Sequence, residues 1–203
     1  MKNPHAIIFD LGKVLLDFDY TIAARKIAAR CTTSPAKVQT LLLDSSPPLA
    51  QYESGQVTRR AFYETTRDAI DFQGSLAEFS GDFADIFSEI PGTIALHAEL
   101  RRRGYPTYIF SNTNDLAIEH VRRNFPFFAN FDGYIYSYEV GALKPQPEMY
   151  LAMEAMTGRR GADLIYLDDR AENIAAGAAR GWRTILHTSP ERTRQALTAF
   201  QVL

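Results

Sequence analysis

The sequence predicts an α/β fold, a Rossmann-like and mostly parallel sheet flanked by helices, with a small helical cap inserted after the first strand. Three observations carry that expectation. Short apolar runs recur along the chain and are continuous rather than alternating, as strands covered on both faces are. Helix-patterned segments separate these runs, and strand–helix alternation builds parallel sheets. The stretch between the first two runs, about 70 residues from Asp19 to Ile90, carries helical patterning and no convincing strand, and is too long for a single crossover.

The first run, Ala6-Ile7-Ile8-Phe9, stops at Asp10. In the long stretch, Ser34-Pro35 reads as an N-cap followed by an N1 proline. Pro47-Pro48 and Ser54-Gly55 break the helical pattern, Thr58 caps a helix over Arg59–Ile70, and Ser75 caps another. The aromatic stripe Phe62, Phe72, Phe79, Phe83 and Phe87 reads as packing. The expected division is a catalytic core of residues 1–18 and 88–203 with a helical cap of residues 19–87. Past the insertion, a helix over Gly92–Arg103 ends at Gly104, with cations in its last turn. Runs at Thr107–Phe110, Tyr134–Tyr136, Leu164–Leu167 and Thr184–His187 then alternate with helices at Asp115–Asn124, Gln146–Met156, Ala171–Arg180 and Glu191–Phe200. Pro145 fits the start of the helix that follows it.

Composition narrows the function classes. With 46% hydrophobic and 23% charged residues in 203, the chain buries a core and is not disordered. A net charge of −2 argues against nucleic acid as a partner. The single cysteine, Cys31, excludes an intramolecular disulfide and a cysteine-based zinc site, and reads as packing. His5, His97, His120 and His187 are scattered without metal spacing, and Trp182 is expected to pack near the last strand. The N-terminal apolar run is shorter than the ~7–15 residues of a signal peptide, and nothing approaches the ~20 of a membrane span. The expectation is a cytoplasmic protein, a monomer or weak homodimer, acting on a small molecule rather than on a membrane or nucleic acid.

Four strand ends carry polar chemistry. Asp10 follows the first run, where open α/β sheets bind ligands. Ser111-Asn112-Thr113-Asn114 follows the second and opens a helix at Asp115, an arrangement of hydroxyl, amide and N–H groups suited to an anion. Lys144, in Gly141-Ala142-Leu143-Lys144-Pro145, can neutralise phosphate charge at the same edge. Asp168-Asp169 ends the fourth run; adjacent carboxylates repel, and a hard divalent cation, Mg²⁺ foremost, relieves them. Asn173 is in reach to support that pair.

The order and contexts of these residues resemble the haloacid dehalogenase superfamily of phosphatases. The nucleophile motif is similar to Phe9-Asp10-Leu11-Gly12-Lys13-Val14, the phosphate-binding motif to Phe110-Ser111-Asn112, the lysine motif to Leu143-Lys144-Pro145 and the metal motif to Asp168-Asp169. Tyr52-Glu53-Ser54-Gly55 resembles an element of such caps. The nearest subgroup carries Asp-Leu-Gly-Asn-Val at the nucleophile and includes sugar-phosphate phosphatases acting on α-D-glucose 1-phosphate. The resemblance implies that Asp10 attacks phosphorus to form an aspartyl phosphate. It places Mg²⁺ on Asp10, the Gly12 carbonyl and Asp169, with Asp168 close by. It leaves the phosphate oxygens to Lys144, Ser111 and the Asn112 N–H. The implied substrate is a small phosphorylated metabolite such as a hexose 1-phosphate.

One position departs from the family pattern. Many of its phosphatases carry a second aspartate two residues after the nucleophile as general acid/base, and here that residue is Gly12. Losing a general acid costs ~10²–10⁴-fold unless another group replaces it. Asp17, Asp19 or a cap residue are the candidates, and a good leaving group would need the acid less. Two alternatives stay open: a non-catalytic or regulatory protein on the same fold, and a metal-independent dehalogenase-type hydrolase, against which the paired aspartates count. A receiver domain, a dinucleotide site and a Walker loop do not match the spacing.

Overall fold

The computed structural model describes residues 5–42 and 46–203. Residues 1–4, which precede the first apolar run, and residues 43–45 of the insertion lie outside the described residues. Five strands form one parallel sheet: β1 (Ala6–Phe9), β4 (Thr107–Ser111), β5 (Gly133–Tyr136), β6 (Leu164–Asp168) and β7 (Arg183–Leu186), in the order β5-β4-β1-β6-β7. All four residues of β1 and all five of β6 are buried, as continuous apolar runs require in a sheet covered on both faces. Helices α6 (Pro91–Arg102), α7 (Asp115–Asn124), α9 (Pro147–Thr157), α10 (Ala171–Ala179) and α11 (Pro190–Ala199) lie in the connections, and α8 (Ser137–Val140) is one turn after β5. The chain leaves β1 for β4 on one side and returns to β6 on the other, so β1 flanks the topological switch point where such sheets bind ligands.

Between β1 and α6 lie α1 (Tyr20–Ala28), α2 (Pro35–Leu42), α3 (Pro47–Glu53), α4 (Arg59–Ile70) and α5 (Leu76–Ala84). Their starts follow local chemistry. Asp19 accepts from the Thr21 N–H, Thr58 from the Ala61 N–H, and Ser75 forms a capping box with Glu78. These helices bury their own apolar cluster, in which Phe79 stacks on Phe83 and meets Phe62 and Phe72 edge-on. Of the expected stripe, Phe62, Phe72, Phe79 and Phe83 are core, whereas Phe87 is only half-buried.

Two expectations need correction. The stretch from Asp19 to Ile90 is not free of strands: β3 (Phe87–Glu89) pairs antiparallel with β2 (Leu16–Phe18), joining the two ends of the insertion in a short ribbon. Each strand has three residues, too few for an apolar period to register. Pro145 does not begin a helix. It follows Lys144 across a cis peptide bond, and Pro147 holds the N1 position after the Gln146 cap. Among the described residues no helix is long and apolar enough to cross a membrane.

Candidate active site

The carboxyl ends of β1, β4 and β6 and the loop after α8 converge on one cavity of about 270 Å³. The strands place the residues. Asp10 follows β1, and its N–H donates to the Leu167 carbonyl at 2.9 Å, continuing the β1–β6 ladder one residue further. Ser111 ends β4 and Asp168 ends β6. Asn112 ties the lysine loop to β4 from both directions: its Oδ1 accepts from the Lys144 N–H at 2.7 Å and its Nδ2 donates to the Lys144 carbonyl at 3.1 Å.

Lys144 is the hub. Its side chain is 1% exposed, and Nζ lies 3.0 Å from Asp10 Oδ1, 2.7 Å from Asp168 Oδ2 and 2.8 Å from the Phe110 carbonyl. Three partners account for the three protons of an ammonium. Burial opposes the lysine's charge, but Asp10 and Asp168 outweigh it and hold its pKa above the ordinary lysine value. Asp168 also accepts from Tyr166, from the Arg170 N–H at 2.8 Å and from Asn173 Nδ2 at 3.0 Å. Its burial penalty is more than offset, first by Lys144, and its pKa lies below the ordinary range. Asp10 differs. Burial pushes its carboxyl well above the usual carboxylate range, and the charges of Asp168 and Asp169 add to the shift against the pull of Lys144. Asp169 is half-buried, faces the cavity and is raised too, by burial and then by Asp168.

These three carboxylates offer ligand oxygens within 4.8 Å of one another. Beside them Asn173 Oδ1 is buried with no hydrogen-bond partner. An all-oxygen cluster with surplus negative charge suits a hard divalent cation, so the donor set fits Mg²⁺. The expected roles of Asp168 and Asp169 separate geometrically. Asp168 is saturated by protein donors, while Asp169 lines the cavity.

The structure brings all seven expected positions together: Asp10, Gly12, Ser111, Asn112, Lys144 and Asp169 line the cavity, and Asp168 bonds to Lys144 behind it. It also shows where the two named acid candidates lie. Asp17 pairs with Lys13 and accepts from the Phe18 N–H at 2.8 Å, Asp19 caps α1, and neither lines the cavity. The insertion contributes Tyr20 and Glu53 to the wall, and the ribbon contributes Phe18 and Phe87. Sequence reasoning gives Lys13, Phe18, Tyr20, Glu53, Phe87 and Arg170 no site role. Lys13 and Glu53 carry a signal there as members of the Phe9-Asp10-Leu11-Gly12-Lys13-Val14 and Tyr52-Glu53-Ser54-Gly55 elements, and Phe87 only as one ring of the aromatic stripe.

Residues 4–181 match the model of the haloacid dehalogenase-like hydrolases. The chain belongs to that family. It is similar to a D-ribitol-5-phosphate phosphatase of Bacteroides thetaiotaomicron, at 24% identity over 95% of this chain and 96% of the relative. Among solved structures it is similar to a haloacid dehalogenase family enzyme of the same organism, with TM-score 0.78 and 25% identity over 91% of this chain and 94% of that one. A further structure of that enzyme holds magnesium and inorganic phosphate. A haloacid dehalogenase-like hydrolase of Porphyromonas gingivalis superposes with TM-score 0.81 at 23% identity, over 97% of both chains, which shows the shared fold.

Proposed function

We propose that the protein is a magnesium-dependent phosphatase that hydrolyses small phosphate monoesters, with sugar or sugar-alcohol phosphates as its substrates, through an aspartyl phosphate on Asp10. The observation that carries this reading is the convergence of Asp10, Lys144, Ser111 and the Asp168–Asp169 pair on one cavity at the switch point of the sheet. Family membership and the phosphatases among the relatives support it. A volume of about 270 Å³ lies just below the ~300–1,000 Å³ usual for ligand pockets and suits a small ester.

In this reading Asp10, the Gly12 carbonyl and Asp169, with Asp168 close by, would hold Mg²⁺, which would supply positive charge to offset repulsion between these carboxylates and the phosphate. Asp10 presents a carboxylate oxygen to phosphorus, in line with the departing ester oxygen. Lys144 holds that carboxylate in place. The Ser111 hydroxyl and the Asn112 N–H bind phosphate oxygens, and the Asn112 side chain keeps the lysine loop at its distance. Water then attacks the aspartyl phosphate and releases phosphate. Positioning and charge stabilisation carry most of the acceleration in phosphoryl transfer. Residues 19–87 act as the cap, closing the cavity with Tyr20 and Glu53. A metal-independent dehalogenase would leave the paired aspartates without a task.

The test is release of inorganic phosphate from a panel of phosphate monoesters, with Mg²⁺ and with excess chelator. The expected result is Mg²⁺-dependent turnover that favours sugar and polyol phosphates. No release from any ester, or undiminished release in chelator, overturns the reading.

A further inference from the structure

In-line attack by Asp10 sets the ester oxygen on the far side of phosphorus, pointing away from the sheet edge and toward the insertion. A proton for that oxygen has to come from the insertion side of the cavity. Gly12 has no side chain to give one, and the space beside it is taken: a Cβ there would sit 2.7 Å from Phe18 Cε1. Among the described residues, the carboxyl groups lining the cavity are Asp10, Asp169 and Glu53. The first two belong to the oxygen cluster on the sheet side. The cationic groups on the cavity wall are ill-suited to give up a proton. Lys144 is spent on Asp10, Asp168 and the Phe110 carbonyl, and Lys13 donates to Asp17 and to the Phe18 carbonyl. Arg170 is a guanidinium and does not release its proton.

Glu53 ends α3, and that helix end is pinned to the core on both sides of it. The preceding Tyr52 hydroxyl donates to Asp115 Oδ1, while Arg59 Nε binds Asp115 Oδ2 at 2.9 Å and its NH2 group binds Glu119 at 2.9 Å. Asp115 opens the helix that follows Ser111 and Asn112. Two residues after Glu53, Gly55 presses so closely on α8 that a Cβ would meet the Tyr138 carbonyl at 2.3 Å, and its φ of +68° suits glycine. The half-buried Glu53, which lines the cavity, thus sits on a helix end tied to the same core segments that shape the phosphate end.

We propose that Glu53 is the general acid and base of this phosphatase, a step that rests on the function proposed above. As an Asp10 oxygen bonds to phosphorus, the P–O bond to the leaving group breaks and its electron pair takes the Glu53 proton, releasing a neutral alcohol. In the second half, the Glu53 carboxylate takes a proton from the water that attacks phosphorus. That frees phosphate and returns Asp10 to its starting state.

The experiment compares kcat/KM for an aryl phosphate and for glycerol phosphate in the wild type, Glu53→Gln and Tyr20→Phe. A general acid matters most for the poor alkoxide leaving group. Glu53→Gln should therefore lower the glycerol-to-aryl ratio by ~10²-fold or more, and Tyr20→Phe should leave that ratio as in the wild type. The ratio is independent of the fraction of folded enzyme, so a destabilised variant still reports. A Glu53→Gln ratio equal to that of the wild type, or a loss of the ratio in Tyr20→Phe instead, overturns the assignment while the phosphatase reading stands. If the wild type releases phosphate from neither ester, the phosphatase reading fails and this assignment falls with it.

Discussion

Two lysines border the same cavity, and they are held in opposite ways. Lys144 lies on the sheet side with 1% of its side chain exposed, locked between two buried carboxylates and a carbonyl. Lys13 lies on the insertion side with 44% exposed, pairing with Asp17 over the Phe18 ring. The sheet side is an interlocked charge network in which Lys144 and Asp168 have set partners. The insertion side is aromatic and open, held by solvent-screened pairs. Rigid charge placement suits the end of the cavity where phosphorus is attacked, and an adaptable wall suits the end that meets the variable part of a substrate.

The largest expected effect tests the sheet side directly. Asp10→Asn is close to isosteric and removes the proposed nucleophile, so phosphate release should fall by roughly 10⁴-fold or more. The same assay on Lys13→Met should show a change well under that. Turnover by Asp10→Asn at the wild-type rate would strip the sheet side of its assigned chemistry.

The second prediction compares the lysines by stability. Lys144→Met at pH 8 leaves the Asp10 and Asp168 carboxylates buried without their cation, a loss of ~3–5 kcal/mol. Lys13→Met removes an exposed pair worth ~0–1 kcal/mol. Urea unfolding midpoints of both variants check the contrast, and equal losses would mean that the charge network is solvated rather than interlocked.

The contrast also explains what was legible in the sequence. Asp10, Ser111 and Asp168-Asp169 each follow a continuous buried run, so their place at one sheet edge could be read from chain order. Lys144 carried its signal in the surrounding Gly141 and Pro145. The helical insertion was readable from caps such as Thr58 and Ser75, whose side chains bond as expected. The far wall was not. Phe18 and Phe87 meet through a ribbon of two three-residue strands that close the ends of the insertion, and no local pattern marks a pairing at that separation. Phe87 read as one more ring of an aromatic stripe, while its neighbours in that stripe are core. That Asp17 turns to Lys13, and Asp19 to the start of α1, is side-chain geometry that spacing does not encode.

A third prediction concerns what supports the sheet side from beneath. His97 is 2% exposed, stacks on Phe131 with ring centroids 4.0 Å apart, meets Phe9 edge-on and bonds Thr107 Oγ1 through Nε2 at 3.1 Å. Burial pushes its pKa down to about 4, with Arg101 adding to the shift and Asp132 opposing it. The folded chain keeps this ring neutral, whereas the unfolded chain takes up a proton near pH 6.5. The resulting stability is full above about pH 6.5 and is lost as pH falls toward 4. Between pH 7 and 5 the loss should be ~2 kcal/mol. His97→Gln can keep a hydrogen bond to Thr107 and does not titrate, so its stability should change less over that interval. Parallel pH dependence in the two proteins would remove His97 as the cause.

The smallest effect returns to the boundary between the two sides. The Gly12 position faces Phe18, and a Cβ there lies 2.7 Å from a ring carbon, closer than real Cβ contacts come. Gly12→Ala should therefore cost ~1–3 kcal/mol as an overpacked contact. The ring belongs to a half-buried residue on a short ribbon, so it can give way, and the value should sit toward the lower end. Phe18→Ala makes the room in advance. In the double variant the Gly12→Ala step should become nearly neutral, a coupling that a double-mutant cycle of unfolding free energies measures. Additive losses would show that glycine is needed at position 12 for its backbone alone. A strong coupling would show that the aromatic wall excludes a side chain beside the nucleophile. In that case Gly12→Asp, introduced together with Phe18→Ala, becomes the variant in which a carboxyl at position 12 can be accommodated.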